Sequence, residues 1–430
     1  MGRFRVFVLL AVTCGLLTAQ PAPERAAALI PEFEKNLKEN IAAFWYPRCL
    51  DRTNGGYTIH FGPKGEPKGD TNKMIVTQAR TVWLFARMAR AGYGGREMLD
   101  AAEHGYRFLR EKMWDHANGG FYWEVDPAGD RKTRDHKHLY GQSFGLYAVS
   151  EYYLATGRKD VLDFATRIFD VLEARSHDKK HGGYIEFFRP DWTEPAPGTA
   201  SYMGGAGTDR LKLMNTHLHL MEAMTTFYRA SRLPLARERL LELMTIESNA
   251  VVRKGLTACT DKYDGDWTPR LQGNFARVSY GHDLENVWLL VDAADAAGVP
   301  NSPLLDLYRE LFAYSLQYGY DQAEGGFYDT GAFRKPADQR SKIWWVQAEA
   351  LVSALTMYKL TGDPTYWRVF EKTWEFTNKR QTDWEYGEWH ATILPDGTAR
   401  GDKANAWKGG YHNGRAMIEC LAILKQLSGK

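Results

Sequence analysis

"DHANGGFYWEVDPAGD", residues 115–130, holds an aspartate, three small or polar residues, two glycines and then an alternating aromatic stretch ended by a Pro-Ala-Gly turn. Alternation bounded by Gly, Pro and Asp is the signature of a short β-hairpin. The same pattern recurs along the chain. "DRTNGGYTIH" begins at Asp51, "DKKHGGYIEFF" at Asp178, "DKYDGDW" at Asp261, "DQAEGGFYDT" at Asp321 and "DWEYGEWHATILPDG" at Asp383. From Asp51 onward the successive spacings are 64, 63, 83, 60 and 62 residues. A near-constant period of this length marks a repeated supersecondary unit.

Two helical stretches lie between successive hairpins. "TQARTVWLFARMARAG" and "REMLDAAEHGYRFLREKMW" follow the first, and "LYGQSFGLYAVSEYYLATG" and "VLDFATRIFDVLEAR" the second. "IWWVQAEALVSALTMYKLTG" and "TYWRVFEKTWEFTNK" follow the fifth. Each pair fits an αα-hairpin with a short connector. "PEFEKNLKENIAAFWYP" supplies a helix at the start and "YHNGRAMIECLAILKQL" one at the end. The expectation is an all-α (α/α)6 barrel: six inner helices around a cavity, six outer helices, and short β-hairpins at one mouth. An open solenoid is the structural alternative. The long spacing places an insertion in "DWTEPAPGTASYMGGAGTDRLK", whose Gly, Pro and Thr content reads as a long loop able to cover the mouth.

Composition bounds the function. The 430 residues are 44% hydrophobic and carry a formal net charge of +2, enough apolar material for a large core. Lys and Arg are scattered, which argues against a nucleic-acid stripe or a polybasic membrane anchor. The first residues, "MGRFRVFVLLAVTCGLLTAQPAPE", have the layout of a secretory leader. Residues 1–20 are therefore expected to be a signal peptide and 21–430 one catalytic domain, exported to the periplasm or outside the cell. An uncleaved anchor is the alternative. With Cys14 in the leader, Cys49, Cys259 and Cys420 remain, so at most one disulfide forms. Oligomeric state cannot be read from these features.

Functional groups gather at the start of each expected inner helix: Gln78 and Arg80, Tyr140 and Gln142, Asn215 and His219, His282 and Glu285, Trp344, Trp345 and Glu349, Trp407 and His412. Any one of them could be a satisfied core residue; six sets at one end of a tube point to a site. In "MNTHLHLMEAMTTFY", Asn215, His219 and Glu222 share a helix face, whereas His217 falls with Met221 and Met224 on the packed side. Residues two apart on a helix diverge by about 200°, so His217 and His219 do not form a chelating pair. No other metal pattern and no phosphate loop occurs. Histidines can take and return protons near neutral pH, and His282 lies three residues before Glu285, a spacing that lets the carboxylate orient the ring. Arg80 could stabilise charge developing on a substrate oxygen, and Trp345 and Trp407 offer flat faces for sugar rings. Such a set suits proton transfer at a carbon beside a carbonyl, through an enediolate.

"MNTHLHLMEA", "GHDLENVWLL", "KIWWVQAEALV" and "WKGGYHNGR" resemble motifs of the N-acylglucosamine 2-epimerase family, most closely its cellobiose 2-epimerase branch. The resemblance implies an (α/α)6 barrel that inverts C2 of a reducing-end sugar with neither nucleotide cofactor nor metal. It implies that His282 and His412 are the acid/base pair, that His219 and Arg80 hold the opened sugar, and that Glu285 positions His282. Asn215, Trp345, Glu349, Trp407 and Tyr140 would bind the sugar rings. Close relatives usually have proline where this chain has Gly410, and an acidic residue in the loop before Asn215. Asp209 stands near that place, but at a spacing that does not support carrying the role over. Other substrates of the family remain open: a mannobiose, an N-acylated amino sugar, or mannose with isomerisation to fructose. An exported glycoside hydrolase on the same barrel, using Glu285 and Glu349, and a catalytically silent sugar-binding protein are the other readings.

Overall fold

The computed structural model describes residues 23–429 apart from 70, 204–207 and 209. The leader and Asp209 lie outside the described residues. Helix α1 (Pro23–Lys35) continues through a π-helical stretch, Asn36–Ala42, and a last turn, Ala43–Trp45. It is followed by α2 (Ile75–Arg90), α3 (Arg96–Phe108), α4 (Leu139–Thr156) and α5 (Lys159–Arg175). Then come α6 (Met214–Ser231), α7 (Pro234–Thr245), α8 (Tyr280–Ala297) and α9 (Leu305–Gly319). The series ends with α10 (Trp344–Thr361), α11 (Pro364–Phe376) and α12 (Tyr411–Leu427).

Two burial patterns sort these helices into two layers. Every residue from 346 to 358 of α10 is buried, as a helix enclosed on all sides requires. In α3 the buried residues are Met98, Ala101, Ala102, Gly105, Tyr106 and Phe108, a single stripe at helical spacing. Helices α2, α4, α6, α8, α10 and α12 pack each against the next, and α12 packs back against α2. Each also packs against one outer helix, α12 against α1. The ring is therefore closed, an (α/α)6 barrel and not an open solenoid. No helix among the described residues is long and apolar enough to cross a membrane. Cys49, Cys259 and Cys420 are buried and free.

The hairpins at the mouth owe their repeat to one buried ion pair. Asp115 Oδ1 accepts the backbone N–H of Asn118, which shapes the turn, while Lys137 Nζ donates to Oδ2 at 2.9 Å. Lys73–Asp51, Lys212–Asp178 and Lys342–Asp321 repeat this pair at 2.7–2.8 Å, with each lysine just before an inner helix. The pair fastens the hairpin to the end of the helix that lines the cavity. Two residues before each of these inner helices, a short strand also pairs with the next unit: Lys73–Met74 with Val125–Glu124, and Lys342–Ile343 with Ile393–Thr392. A bridge between Phe61 and Ala404 joins the first unit to the last.

The fourth repeat lies elsewhere than its sequence suggested. Five hairpins close with bridges seven residues apart, from Leu50–Tyr57 to Thr382–Trp389. The fourth equivalent is Val252–Cys259, whereas Lys262–Tyr263 of "DKYDGDW" forms the link strand to Lys212–Leu213. The motif was hidden because Arg253 replaces the aspartate, and Thr257 at φ 56° takes a left-handed position that glycine fills in the other units. Counted on the leading bridge residues, at positions 50, 114, 177, 252, 320 and 382, the spacings become 64, 63, 75, 68 and 62.

Candidate active site

In each inner helix one side chain turns back to its hairpin. Gln78 accepts from the Tyr57 N–H and donates to the Tyr57 carbonyl, both at 2.8 Å. Gln142 does the same with Phe121, and Gln347 with Phe327. His217 Nε2 accepts from the Tyr184 N–H at 3.0 Å, and Asp283 Oδ1 from that of Cys259 at 2.9 Å. In α12, Asn413 donates to Glu388 of the last hairpin at 2.7 Å. Gln78 and Gln142 are thus structural residues and not the cavity groups their position suggested. His217 is structural, as its packed face implied.

Two residues further on, the helix has turned by about 200° and the side chain points to the barrel axis. These positions are Arg80, Phe144, His219, Glu285, Glu349 and Arg415, five of them charged or ionisable, and all six are buried. Arg80, His219 and Glu285 reach the floor of a cavity of about 320 Å³, within the usual size of small-molecule sites, and Phe144, Glu349 and Arg415 support them from behind. Its walls hold Tyr140, Asn215, His282, Trp344, Trp345, Trp407 and His412, with Tyr202 and Met203 from the long loop. Nine of the ten residues expected from sequence therefore line one cavity: Arg80, Tyr140, Asn215, His219, His282, Glu285, Trp345, Trp407 and His412. Glu349 lies beneath it.

Arg415 is the centre of the layer behind the floor. Its Nη2 donates to Glu285 Oε1 at 2.6 Å and to Glu349 Oε1 at 2.8 Å, while its Nη1 meets Glu222 and the Tyr411 hydroxyl. Tyr411 donates to Glu222 at 2.6 Å, and His219 Nδ1 lies 3.0 Å from Glu222 Oε2. Glu349 also takes His412 Nδ1 at 2.7 Å and the Trp288 indole N–H at 2.9 Å. Arg80 donates to the Tyr140 hydroxyl at 3.0 Å and lies over the Phe144 ring.

Two expected pairings are corrected by this geometry. Glu285 does not orient His282: its carboxyl turns to Arg415, and His282 has no hydrogen-bonded carboxylate among the described residues. A buried carboxyl gains more from a guanidinium than from a neutral imidazole three residues away. Glu349, expected against a sugar ring, instead holds His412. A carboxylate on Nδ1 fixes the ring and leaves Nε2 as the base. Burial and the nearby Arg80 and Arg415 hold His412 well below the ordinary histidine range. Burial likewise lowers His219 to about 4, against the pull of Glu222, and it also lowers His282. Burial pushes the Glu222 carboxyl up, but Arg415, His219 and Tyr411 outweigh it and bring it to about 2.

Glu285, Glu349 and His412 bring one donor atom each within 4.8 Å of one another, close enough for a metal ion. The cation these carboxyls meet is Arg415 itself. Both carboxyls are engaged by the same Arg415 amino group and do not face each other across a gap that a glycosidic bond would occupy, as a glycosidase pair must.

The family model for N-acylglucosamine 2-epimerase (GlcNAc 2-epimerase) matches residues 55–416. The chain belongs to this family. A cellobiose 2-epimerase from Bacteroides fragilis is 30% identical over 397 residues, covering 91% of this chain and 98% of that relative. One from Ruminococcus albus is 31% identical over 402 residues, again 91% and 98%. The solved cellobiose 2-epimerase of Bacillus thermoamylovorans superposes with a TM-score of 0.84 at 28% identity, over 92% of this chain and 99% of that one. The protein is a sugar 2-epimerase, an isomerase acting on carbohydrates.

For this epimerase, sequence reasoning missed Arg415, Tyr411, Trp288, Tyr202 and Met203, and noticed Glu222 only as a face-mate of His219. Arg415 was within reach: it follows Asn413 by two, as Arg80 follows Gln78. Tyr202 carried no such signal. It reaches the cavity because its ring packs on Trp123 and Phe187, 5.1 and 5.2 Å away between centroids.

Proposed function

We propose that this exported epimerase inverts C2 of the reducing-end residue of a disaccharide such as cellobiose, by proton transfer between His282 and His412 through an enediolate. The observation that carries the proposal is the pair of histidines lining one cavity, each beside the Trp345 indole at centroid distances of 4.8 and 5.8 Å. In the opened sugar, one histidine takes the C2 proton and the C–H electron pair moves toward C1, leaving the negative charge on the carbonyl oxygen. The other histidine, protonated from solvent while the enediolate stands, delivers that proton to the opposite face of C2 as the electron pair returns there, and the first histidine releases the proton it took. Arg80 and His219 meet the enediolate oxygens, and a guanidinium keeps its charge throughout. Glu349 positions His412. Trp345, Trp407, Tyr140 and Asn215 bind the rings, with Trp407 41% exposed at the rim where a second sugar would project.

Proton NMR of the exported mature protein with cellobiose in heavy water tests this reading. The reducing-end C2 proton should disappear and a mannose-type anomeric signal grow. Released glucose would support the hydrolase, a fructose-type product the isomerase, and an unchanged spectrum would send the search to mannobiose, mannose and N-acetylated sugars.

The pH profile has a definite sign. A histidine base works only when neutral, and burial lowers His282 and His412 below 6.5. Their protonation is therefore postponed to lower pH. The acid limb of kcat/KM, where the base takes up a proton, should therefore lie below the ordinary histidine range. An acid limb at 6.5 or above would contradict that environment.

A further inference from the structure

We infer that Glu285 is a further catalytic residue, which carries a proton on Oε2 and gives it to the ring oxygen when the sugar opens. The inference rests on the epimerase reading above and gives Glu285 a role in place of the one the geometry removed.

Hydrogen-bond accounting locates the proton. Glu285 and Glu349 share one amino group, Nη2 of Arg415, which offers one N–H to each. Glu349 has two further donors, His412 and Trp288. Glu222 has three, from Arg415, Tyr411 and His219. Glu285 has only the shared one, and its Oε2 is buried with no partner among the described residues. Charge accounting agrees. Arg80 and Arg415 balance Glu222 and Glu349 when the histidines are neutral, so a third carboxylate would leave a net buried charge. The titratable and charged groups facing Glu285 are Glu349 from α10, Arg415 and His412 from α12, and Glu222 from α6. Burial, and then the charge of Glu349, push its carboxyl well above the ordinary range.

The chemistry calls for such a group. A pyranose has no carbonyl to acidify C2–H, so its C1–O5 bond must break first. The O1 proton leaves to a base, C1 and O1 become the carbonyl, and the electron pair of the broken bond goes to O5, which takes a proton. His219 meets the base requirement through Nε2, since its Nδ1 faces Glu222. Arg80 cannot give up a proton at neutral pH, and burial raises the Tyr140 hydroxyl further from that range. A neutral carboxylic acid in the cavity wall can deliver one to O5 and recover it when the ring closes.

The test follows anomer exchange and C2 deuteration separately, on the intact protein with cellobiose in heavy water. Wild-type protein should speed α/β anomer exchange, read by NMR magnetisation transfer between the anomeric protons. Glu285→Gln keeps the shape but has no transferable proton, and should lose that acceleration by about a hundredfold while melting within a few degrees of wild type. Glu285→Asp, with an acid on a shorter arm, should recover part of it. Undiminished anomer exchange in Glu285→Gln would overturn the inference, as would equal losses in both variants or a wild type that deuterates C2 without speeding anomer exchange. Anomer exchange without C2 deuteration in wild type would instead defeat the epimerase reading, and the Glu285→Gln comparison would still decide the ring-opening acid.

Discussion

Replacing His412 by alanine is expected to lower epimerisation by about 10²–10⁴-fold, the usual contribution of one general acid or base. That corresponds to about 3–5 kcal/mol of barrier. The alanine leaves Glu349 with Arg415 and Trp288 as donors, so the fold should survive. His282→Ala should lose a similar factor, because inversion needs one proton carrier on each face of C2. The two variants should differ in a second respect. Each keeps one base, so in heavy water each should still deuterate C2 of the epimer whose hydrogen faces the remaining histidine. NMR on both epimers thus assigns a face to each residue. Unchanged epimerisation in either variant would remove that histidine from the reaction.

The second large effect concerns stability. Arg415→Met should destabilise the protein by about 3–5 kcal/mol, because it leaves buried charge without its partner. Glu222 loses one of its three donors and Glu349 one of its three, while Glu285 loses its only one. The substitution also unties four inner helices, α6, α8, α10 and α12, where their side chains meet. Arg415→Lys should recover little, since an ammonium cannot present two parallel pairs of N–H groups to three carboxyls. Adding Glu222→Gln to Arg415→Met should restore part of the loss by removing one stranded charge. Urea unfolding at pH 7 reads all three variants. A loss below about 1 kcal/mol in Arg415→Met would mean that water enters the floor and replaces the guanidinium.

Much of the architecture was legible because it repeats. The Asp–Gly–Gly–aromatic element recurs in four units where a hairpin is fastened to an inner helix, and the lysine before the helix recurs with it. The fourth hairpin escaped notice where its local chemistry changed: Arg253 cannot cap the turn as aspartate does, and Thr257 does not announce a left-handed residue. Gln78 and Gln142 misled for a related reason. A polar residue on a buried helix signals that a partner exists, but not whether the partner is backbone or substrate.

By itself the sequence determined the repeated helix pairs and the end of them that carries chemistry, because both follow from local periodicity: a period near 64 residues, and functional residues in the first turns of six apolar helices; closure of the ring came from the packing of α12 on α2. Tertiary structure alone decided which groups pair. Glu285 lies three residues from His282 and 130 from Arg415, yet it is bound by Arg415. Helix spacing offers a neighbour, but burial selects the partner with the most donors, and ring closure brings α12 against helices far away in sequence. The placing of Tyr202 in the cavity wall has the same origin, since only the packing of its loop on Trp123 and Phe187 brings it there.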